Sequence, residues 1–176
     1  MIEIRIHGRG GQGAVTAAEI LATAAFKDGK YSQAFPRFGP ERRGAPVEAF
    51  CRIDDKFITV RTFVYEPDFL VVLDEGLIHA TDITSGLKKD GTIVINTNKK
   101  ASEFNLPFTV HTFDATKIAM DAFGKPIVNT IILGAFAKAT KIVSIKSLEE
   151  AVAEKFSGAM ADKNVALVKK SYEEMK

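Results

Sequence analysis

The sequence predicts an α/β protein, a three-layer α/β/α sandwich on a mixed, mostly parallel sheet with one hairpin. Three stretches carry that prediction. Ile2, Ile4 and Ile6 alternate with Glu3, Arg5 and His7, the period of a strand, and a glycine turn then leads into a helical stripe. Phe69-Leu70-Val71-Val72-Leu73 is an unbroken apolar run, the mark of a strand covered on both faces. From Asp114 onward, apolar residues recur mainly at helical spacing.

The first unit is the most informative. Gly8-Arg9-Gly10-Gly11-Gln12-Gly13 packs four glycines into six residues. Ala14, Ala17, Ala18, Leu21, Ala22 and Ala25 then form one helix face. A strand, a glycine turn and a helix start make an anion site, because the first helical N–H groups lack partners and the dipole favours negative charge. Gly8, Gly10 and Gly13 also fit G-x-G-x-x-G, the dinucleotide fingerprint. That reading expects a carboxylate about 20 residues further on for a ribose hydroxyl. Lys30-Tyr31-Ser32-Gln33-Ala34-Phe35 offers none, and Arg9 and Gln12 crowd the turn. A tight turn that binds nothing is the third reading.

Along the chain, Asp28-Gly29 closes the helix and Tyr31–Phe35 reads as a second strand. Pro36-Arg37-Phe38-Gly39-Pro40-Glu41-Arg42-Arg43-Gly44-Ala45-Pro46 holds three prolines and two glycines, which forbid regular structure. A stiff loop with three arginines reads as part of a site. Val47–Ile53 and Phe57–Thr62 are read as strands joined at Asp54-Asp55-Lys56, giving the hairpin. Cys51 is read as a small core or face residue.

The strand 69–73 ends at Asp74-Glu75-Gly76, the edge where open α/β sheets place ligands. Asp74 is read first as the cap of a helix Gly76–Ile83, and otherwise as a group that orients a ligand or partner. Thr92–Asn96 and Phe108–Phe113 are strands, and Asp114–Phe123 is a helix stopped by Gly124. Pro126 opens an apolar helix Ile127–Thr140, in which Asn129 is read first as bonding locally and otherwise as a polar contact. Ser147-Leu148-Glu149-Glu150 reads as a capping box and Gly158 as a stop. Asp162 caps the last helix, with Val165, Val168, Tyr172 and Met175 inward.

A chain of 176 residues predicts one domain, 1–176, with an ordinary globular balance of 46% hydrophobic and 26% charged residues. A net charge of +2 argues against nucleic acid as a partner, and no run is long enough to span a membrane. One cysteine makes no disulfide framework, and the chain opens directly on an amphipathic strand. A cytoplasmic location is the expectation. All seven arginines lie in the first 61 residues, and every later cation is lysine. Since arginine suits bidentate contact with phosphate or carboxylate, the front third reads as the binding part and the rest as scaffold.

His7, His79 and His111 have no metal-ligand spacing. Cys-x-x-Cys, the nucleophile elbow and the P-loop are all absent, and no acid–base pair stands out. A cradle and arginines without catalytic machinery suggest a subunit that completes another protein's site, with no catalytic residue of its own.

Three stretches carry a family resemblance. They are His7–Gly13, then Phe38-Gly39-Pro40-Glu41-Arg42-Arg43-Gly44-Ala45-Pro46-Val47, and, more weakly, Tyr65-Glu66-Pro67-Asp68 with the strand to Asp74. Together they resemble the gamma subunits of 2-oxoacid:ferredoxin oxidoreductases, most closely those of the pyruvate synthase type. The resemblance implies CoA-dependent oxidation of a 2-oxoacid to acyl-CoA, carbon dioxide and reduced ferredoxin. Alpha, beta and delta subunits would hold thiamine diphosphate, which does the carbon chemistry, and the iron–sulfur clusters. The gamma part would contact coenzyme A. By motif, Gly8, Arg9, Gly10, Gly11, Gln12 and Gly13 would form the cradle, with Arg37, Gly39, Glu41, Arg42, Arg43 and Gly44 as the second wall. Alternatives are the same subunit serving branched-chain 2-oxoacids, or a stand-alone NAD(P)-binding domain.

Overall fold

The computed structural model describes residues 1–37 and 43–176. Strands β1 (Ile2–Arg9), β2 (Tyr31–Pro36), β3 (Pro46–Asp54), β4 (Phe69–Val72), β5 (Thr92–Asn96) and β6 (Thr109–Phe113) form one sheet in the order β2-β3-β1-β4-β5-β6. The pairs β1–β4, β4–β5 and β5–β6 are parallel, while β1–β3 and β2–β3 are antiparallel. The sheet is mixed, as expected.

The hairpin joins different strands from those expected. β2 and β3 form it, with Tyr31 opposite Asp54 and Pro36 opposite Ala49. Residues 57–62 form no strand. β3 already lies between β1 and β2, so neither of its edges is open to them. Side chains tie that segment down instead. Gln33 Nε2 donates to the Ile58 carbonyl (3.0 Å), and Arg52 donates to the Val60 and Phe63 carbonyls (3.4 and 3.3 Å).

One face of the sheet carries most of the helices: α1 (Ala14–Lys27), α3 (Ala115–Phe123), α4 (Ile131–Thr140), α5 (Ile145–Lys155) and α6 (Gly158–Glu174). Ile4, Ile6, Cys51, Val71 and Val94 point into that core. α4 is its centre, and Ile131 to Ala137 are all buried, which explains why it is apolar on every side. Gly134 lets α6 cross close by. A Cβ there would stand 2.1 Å from Ser171 Oγ and 2.2 Å from the Val168 carbonyl. The opposite face is thinner. Leu70, Val72, Ile93 and Ile95 meet Leu77, Ile83 and Leu87, from the short helix α2 (Leu77–Ala80) and the chain after it.

Several helix bounds differ from the expectation, each for a local reason. α2 stops at Ala80 because Thr81 is extended, which turns Ile83 back onto the sheet. α4 begins at Ile131, after Asn129 has turned its amide to the Gly13 carbonyl rather than bonding locally. Ser144, not Ser147, caps α5, its hydroxyl accepting from the Ser147 N–H at 3.1 Å. Gly158 opens α6 instead of closing α5, so Asp162 lies inside that helix. Asp28 then locks the end of α1 to the start of α5, accepting from Ser144 N (2.7 Å), Ser144 Oγ (2.6 Å) and Ser147 Oγ (2.6 Å).

Two arginines of the front third, the part read as binding, are structural. Arg52 is 1% exposed and pairs with Glu3 at 2.8 Å. Arg5 is 6% exposed and donates to the Ile83 and Ser85 carbonyls at 2.8 and 2.7 Å. Each holds loop carbonyls against the sheet, because a buried guanidinium must be matched by acceptors.

Candidate functional site

β1 and β4 are adjacent and parallel, but the chain leaves them on opposite faces, α1 on one and α2 on the other. A crevice opens at their C-terminal ends, the place where such sheets bind ligands. The glycine loop sits there. Gly11 and Gly13 have φ of 95° and 82°, a region that costs other residues strain. A Cβ on Gly13 would lie 2.5 Å from Asn129 Nδ2, so the loop and the α4 entry fit only with glycine there.

The two sequence motifs meet. Gly10 N–H donates to the Ala45 carbonyl (2.8 Å) and Gly44 N–H to the Gly10 carbonyl (3.1 Å). Arg9 Nη1 reaches the Gly44 carbonyl at 3.3 Å, while its Nε donates to Asp74 Oδ2 at 2.8 Å. Gln12 accepts from Arg9 N–H (2.7 Å) and donates to the same Asp74 oxygen (3.4 Å). Gly8 pairs with Val47, and Arg9 ends the ladder opposite Pro46. Arg37 pairs with Glu48 at 2.8 Å and lies over the Phe63 ring. Phe38, Gly39, Pro40, Glu41 and Arg42 fall outside the described residues.

Asp74 does not cap α2. It accepts from Gly76 N–H (2.9 Å), and the N-cap residue is Gly76 itself. Its larger role is to orient Arg9 and Gln12. The offset used to look for a ribose carboxylate also fails here, since β2 lies two strands from β1. The carboxylate beside the glycine loop is Asp74, and Arg9, Gln12 and Gly76 already engage it.

Two hollows flank this loop. The first, a basic cleft of about 590 Å³, is bounded among the described residues by Gly10, Gly11 and Gly13, the start of α1, and Arg9, Arg37 and Arg43 against one carboxylate, Glu48. No described side chain caps α1, and its first residues, Ala14 and Val15, line this cleft. The dipole of α1 and the arginines suit phosphate. Beneath it His7 is 4% exposed and accepts from Arg5 Nε at 3.0 Å through Nε2, which places its proton on Nδ1, 3.8 Å from Glu48. Burial, and then the Arg5 charge, push its pKa down to about 4, so it is neutral at pH 7.

The second is a polar cavity of about 480 Å³ at the ends of β4, β5 and β6. Gln12, Asp74, Glu75, Asn96, Thr97, Asn98, Asp114, Thr116 and Lys117 line it, over Leu73, Pro126 and Val128. Most of these lie in the stretch expected to be scaffold. Asn96 is fully engaged, donating to the Leu73 carbonyl and Thr116 Oγ1 at 2.9 Å each and accepting from Thr116 N–H at 3.2 Å. Hydrogen bonds from Lys99 and Thr97 hold the Glu75 carboxyl below the usual range. The sequence carried a signal for this cavity, the polar residues that end each apolar strand: Asp74-Glu75, Asn96-Thr97-Asn98 and Asp114.

Among the described residues no group of three His, Cys, Asp or Glu is arranged to hold a metal. Cys51 is buried, and burial pushes its thiol up to about 12, which keeps it protonated and inert. Among the described residues, no helix is long and apolar enough to cross a membrane.

Relatives match along essentially the whole chain. Pyruvate synthase subunit PorC of Methanothermobacter marburgensis is 59% identical over 176 residues, covering 100% of this chain and 98% of that one. The common gamma subunit of pyruvate/ketoisovalerate oxidoreductases of Pyrococcus furiosus is 55% identical, covering 98% and 96%. The crystal structure of pyruvate oxidoreductase subunit PORC from Thermotoga maritima superposes with a TM-score of 0.87 at 39% identity, covering 99% and 97%. Residues 3–174 match the pyruvate ferredoxin/flavodoxin oxidoreductase family, so a chain whose glycine turn and arginine loop close on one cleft belongs to that family, in the position of its gamma subunit.

Proposed function

We propose that this gamma subunit, folded as one domain over residues 1–176, forms the coenzyme A-facing wall of a pyruvate:ferredoxin oxidoreductase. The assembled enzyme converts pyruvate and coenzyme A to acetyl-CoA and carbon dioxide and passes two electrons to ferredoxin. Alpha, beta and delta partners in the cytoplasm supply the thiamine diphosphate and iron–sulfur chemistry. This chain binds and orients, and contributes no reacting group.

One observation carries the reading. The glycine turn and the arginine loop close on a single cleft that holds, among the described residues, three arginines, one glutamate and the open end of α1. That combination suits a ligand with several phosphates. Cleft residues Arg9 and Arg37 are held in place by Asp74 and Glu48, so the positive charge is preorganised.

The test is anaerobic affinity purification of the tagged chain with assay of the eluate for coenzyme A-dependent viologen reduction by pyruvate. Partners bearing thiamine and iron–sulfur centres, together with activity, support the reading. A lone chain that binds NAD(P) overturns it. Replacing Arg42 and Arg43 together by glutamine should raise the KM for coenzyme A more than that for pyruvate. An unchanged coenzyme A dependence in an assembled variant removes the phosphate role. A second reading, one gamma subunit shared with a branched-chain 2-oxoacid enzyme, is favoured by the name of the Pyrococcus relative. Activity of the same eluate with 2-oxoisovalerate would support it.

A further inference from the structure

We propose that the groove between the outer edge of β2 and the segment 60–63 docks an extended, apolar segment of a partner subunit that carries a carboxylate for Arg61. The inference rests on the subunit reading above and adds which surface meets the partner and what chemistry it accepts.

The groove lies on a part of the sheet that no helix covers. On the thinner face, α2 and the chain after it cover β4 and β5. Among the described residues, the segment 57–63 crosses that face over β2 and β3 instead, held by Gln33 and Arg52. Phe35, Phe50 and Phe63 stack in a row there, with ring centroids 5.2 and 5.7 Å apart. Beside them is a hollow of about 380 Å³, walled by Phe35, Pro36, Val60, Arg61 and Phe63. On the same stretch Phe57 and Tyr65 are 72% and 66% exposed, and Tyr31 packs edge-on against Phe57. Exposed aromatic rings beside arginine are the composition of protein interfaces.

The backbone is open at the same place. β2 ends the sheet. Arg37 N–H donates to the Glu48 carbonyl at 3.0 Å, so Phe35, Gln33 and Tyr31, at every second position before it, also spend their backbone groups on β3. Ser32 and Ala34 therefore turn N–H and C=O outward. Among the described residues nothing bonds to those groups. An open edge of this kind pairs with an added strand, whose alternate side chains would lie beside Gln33 and Phe35, over the groove.

Two observations choose the occupant. Among the described residues Arg52 and Arg61 line the groove and no carboxylate does. Glu3 already matches Arg52, whereas Arg61 is exposed at the rim, where an acidic side chain on the incoming strand complements it. The groove also continues the basic cleft. Pro36 lines both, and the Arg37 guanidinium pairs with Glu48 in the cleft while lying over the Phe63 ring. This chain brings no reacting group to that cleft, so a partner subunit stands beside it, and the groove is the adjoining surface.

The experiment uses the anaerobically purified complex carrying the tagged chain as wild type, Arg61→Glu, Phe63→Ser or the control Phe26→Ser, which alters a 71% exposed residue of α1, on the other face. The first readout is the rate at which the tagged chain exchanges with excess untagged chain. Arg61→Glu and Phe63→Ser should each speed exchange about ten-fold or more, the worth of a central interface residue, and Phe26→Ser should leave it alone. Arg61→Glu keeps the test if Phe63→Ser, which loses its stacking on Phe50, fails to fold. The second readout uses Thr62→Cys. Cys51 is buried, so the new thiol is this chain's reactive one. Assembly should slow its alkylation about ten-fold relative to the free chain. A benzophenone attached there should crosslink to an extended apolar segment of a partner subunit containing Asp or Glu. A crosslink to a second copy of this chain overturns the proposal, and so does alkylation equally slow in the free chain, which would show that the chain covers its own groove. Equally fast alkylation in both states, with coenzyme A-dependent activity intact, leaves the cleft reading standing and removes the docking site. If the wild-type chain purifies without partners, both readings fall.

Discussion

The basic cleft and the polar cavity share one glycine loop and carry opposite charge. The cleft belongs to the antiparallel half of the sheet. Its walls are the start of α1 and the loop between β2 and β3, two stretches drawn close because β1 and β3 pair along their whole length. The cavity belongs to the parallel half, where polar residues stand at or just past the same end of each strand. An antiparallel hairpin gathers a site from one local stretch of sequence, whereas parallel strands gather one from single residues tens of positions apart. Arg9 and Asp74, paired at 2.8 Å, form the seam between the halves.

The contrast breaks most completely at Gly13, which bounds the cleft and fixes Gln12 over the cavity. Gly13→Ala should cost about 2–3 kcal/mol in denaturant unfolding, through its φ of 82° and the collision with Asn129, and should weaken coenzyme A binding by the complex. An unchanged affinity would show that the shape of the loop does not matter to the ligand.

Acid should find the cleft half first. His7 binds its proton in the unfolded chain near pH 6.5 but in the fold only near about 4. Between those values the unfolded state holds more protons, so stability is complete above about 6.5 and declines as pH falls towards about 4. The loss from this residue is about 3 kcal/mol, and His7→Gln should flatten that part of a stability–pH profile. A profile unchanged by the substitution would show that His7 is not the group responsible.

A smaller effect should sharpen the seam. Asp74→Asn removes the anion that holds Arg9, so adenosine 3′,5′-bisphosphate should bind the complex about three- to five-fold more tightly at low salt. The gain should vanish near about 1 M salt, where charges are screened within about 3 Å. Weaker binding would mean that Asp74 serves the cleft by orienting Arg9 rather than by restraining it. The smallest change belongs to Lys99→Met, which removes a half-exposed partner of Glu75. Unfolding free energy should fall by less than about 1 kcal/mol, with coenzyme A affinity kept within about two-fold.

Much of the cleft was legible because its residues are contiguous. Gly8 to Gly13 announce themselves by composition, and Arg37 and Arg43 by their stiff loop. Clustering of arginine was a poorer guide. It does not distinguish Arg43, at the cleft, from Arg52, which is 1% exposed and holds the chain after β3 against the sheet. The hairpin was misplaced because local alternation shows that a segment suits a strand but not whether a neighbour has an edge to offer it. β3 has none left.

By itself the sequence determined the α/β class, the strand–glycine–helix unit, the central apolar strand and the membership in this family, since each is written in adjacent residues or short-range periodicity. Only the tertiary structure decided that Asn129 closes on Gly13, 116 positions away, that Asp74 restrains Arg9, and that Asn96, Thr97 and Asp114 share a cavity with Gln12. Those contacts depend on strand order and on which face each connection crosses. That choice is made by burial summed over the whole sheet, and no local stretch of sequence records it.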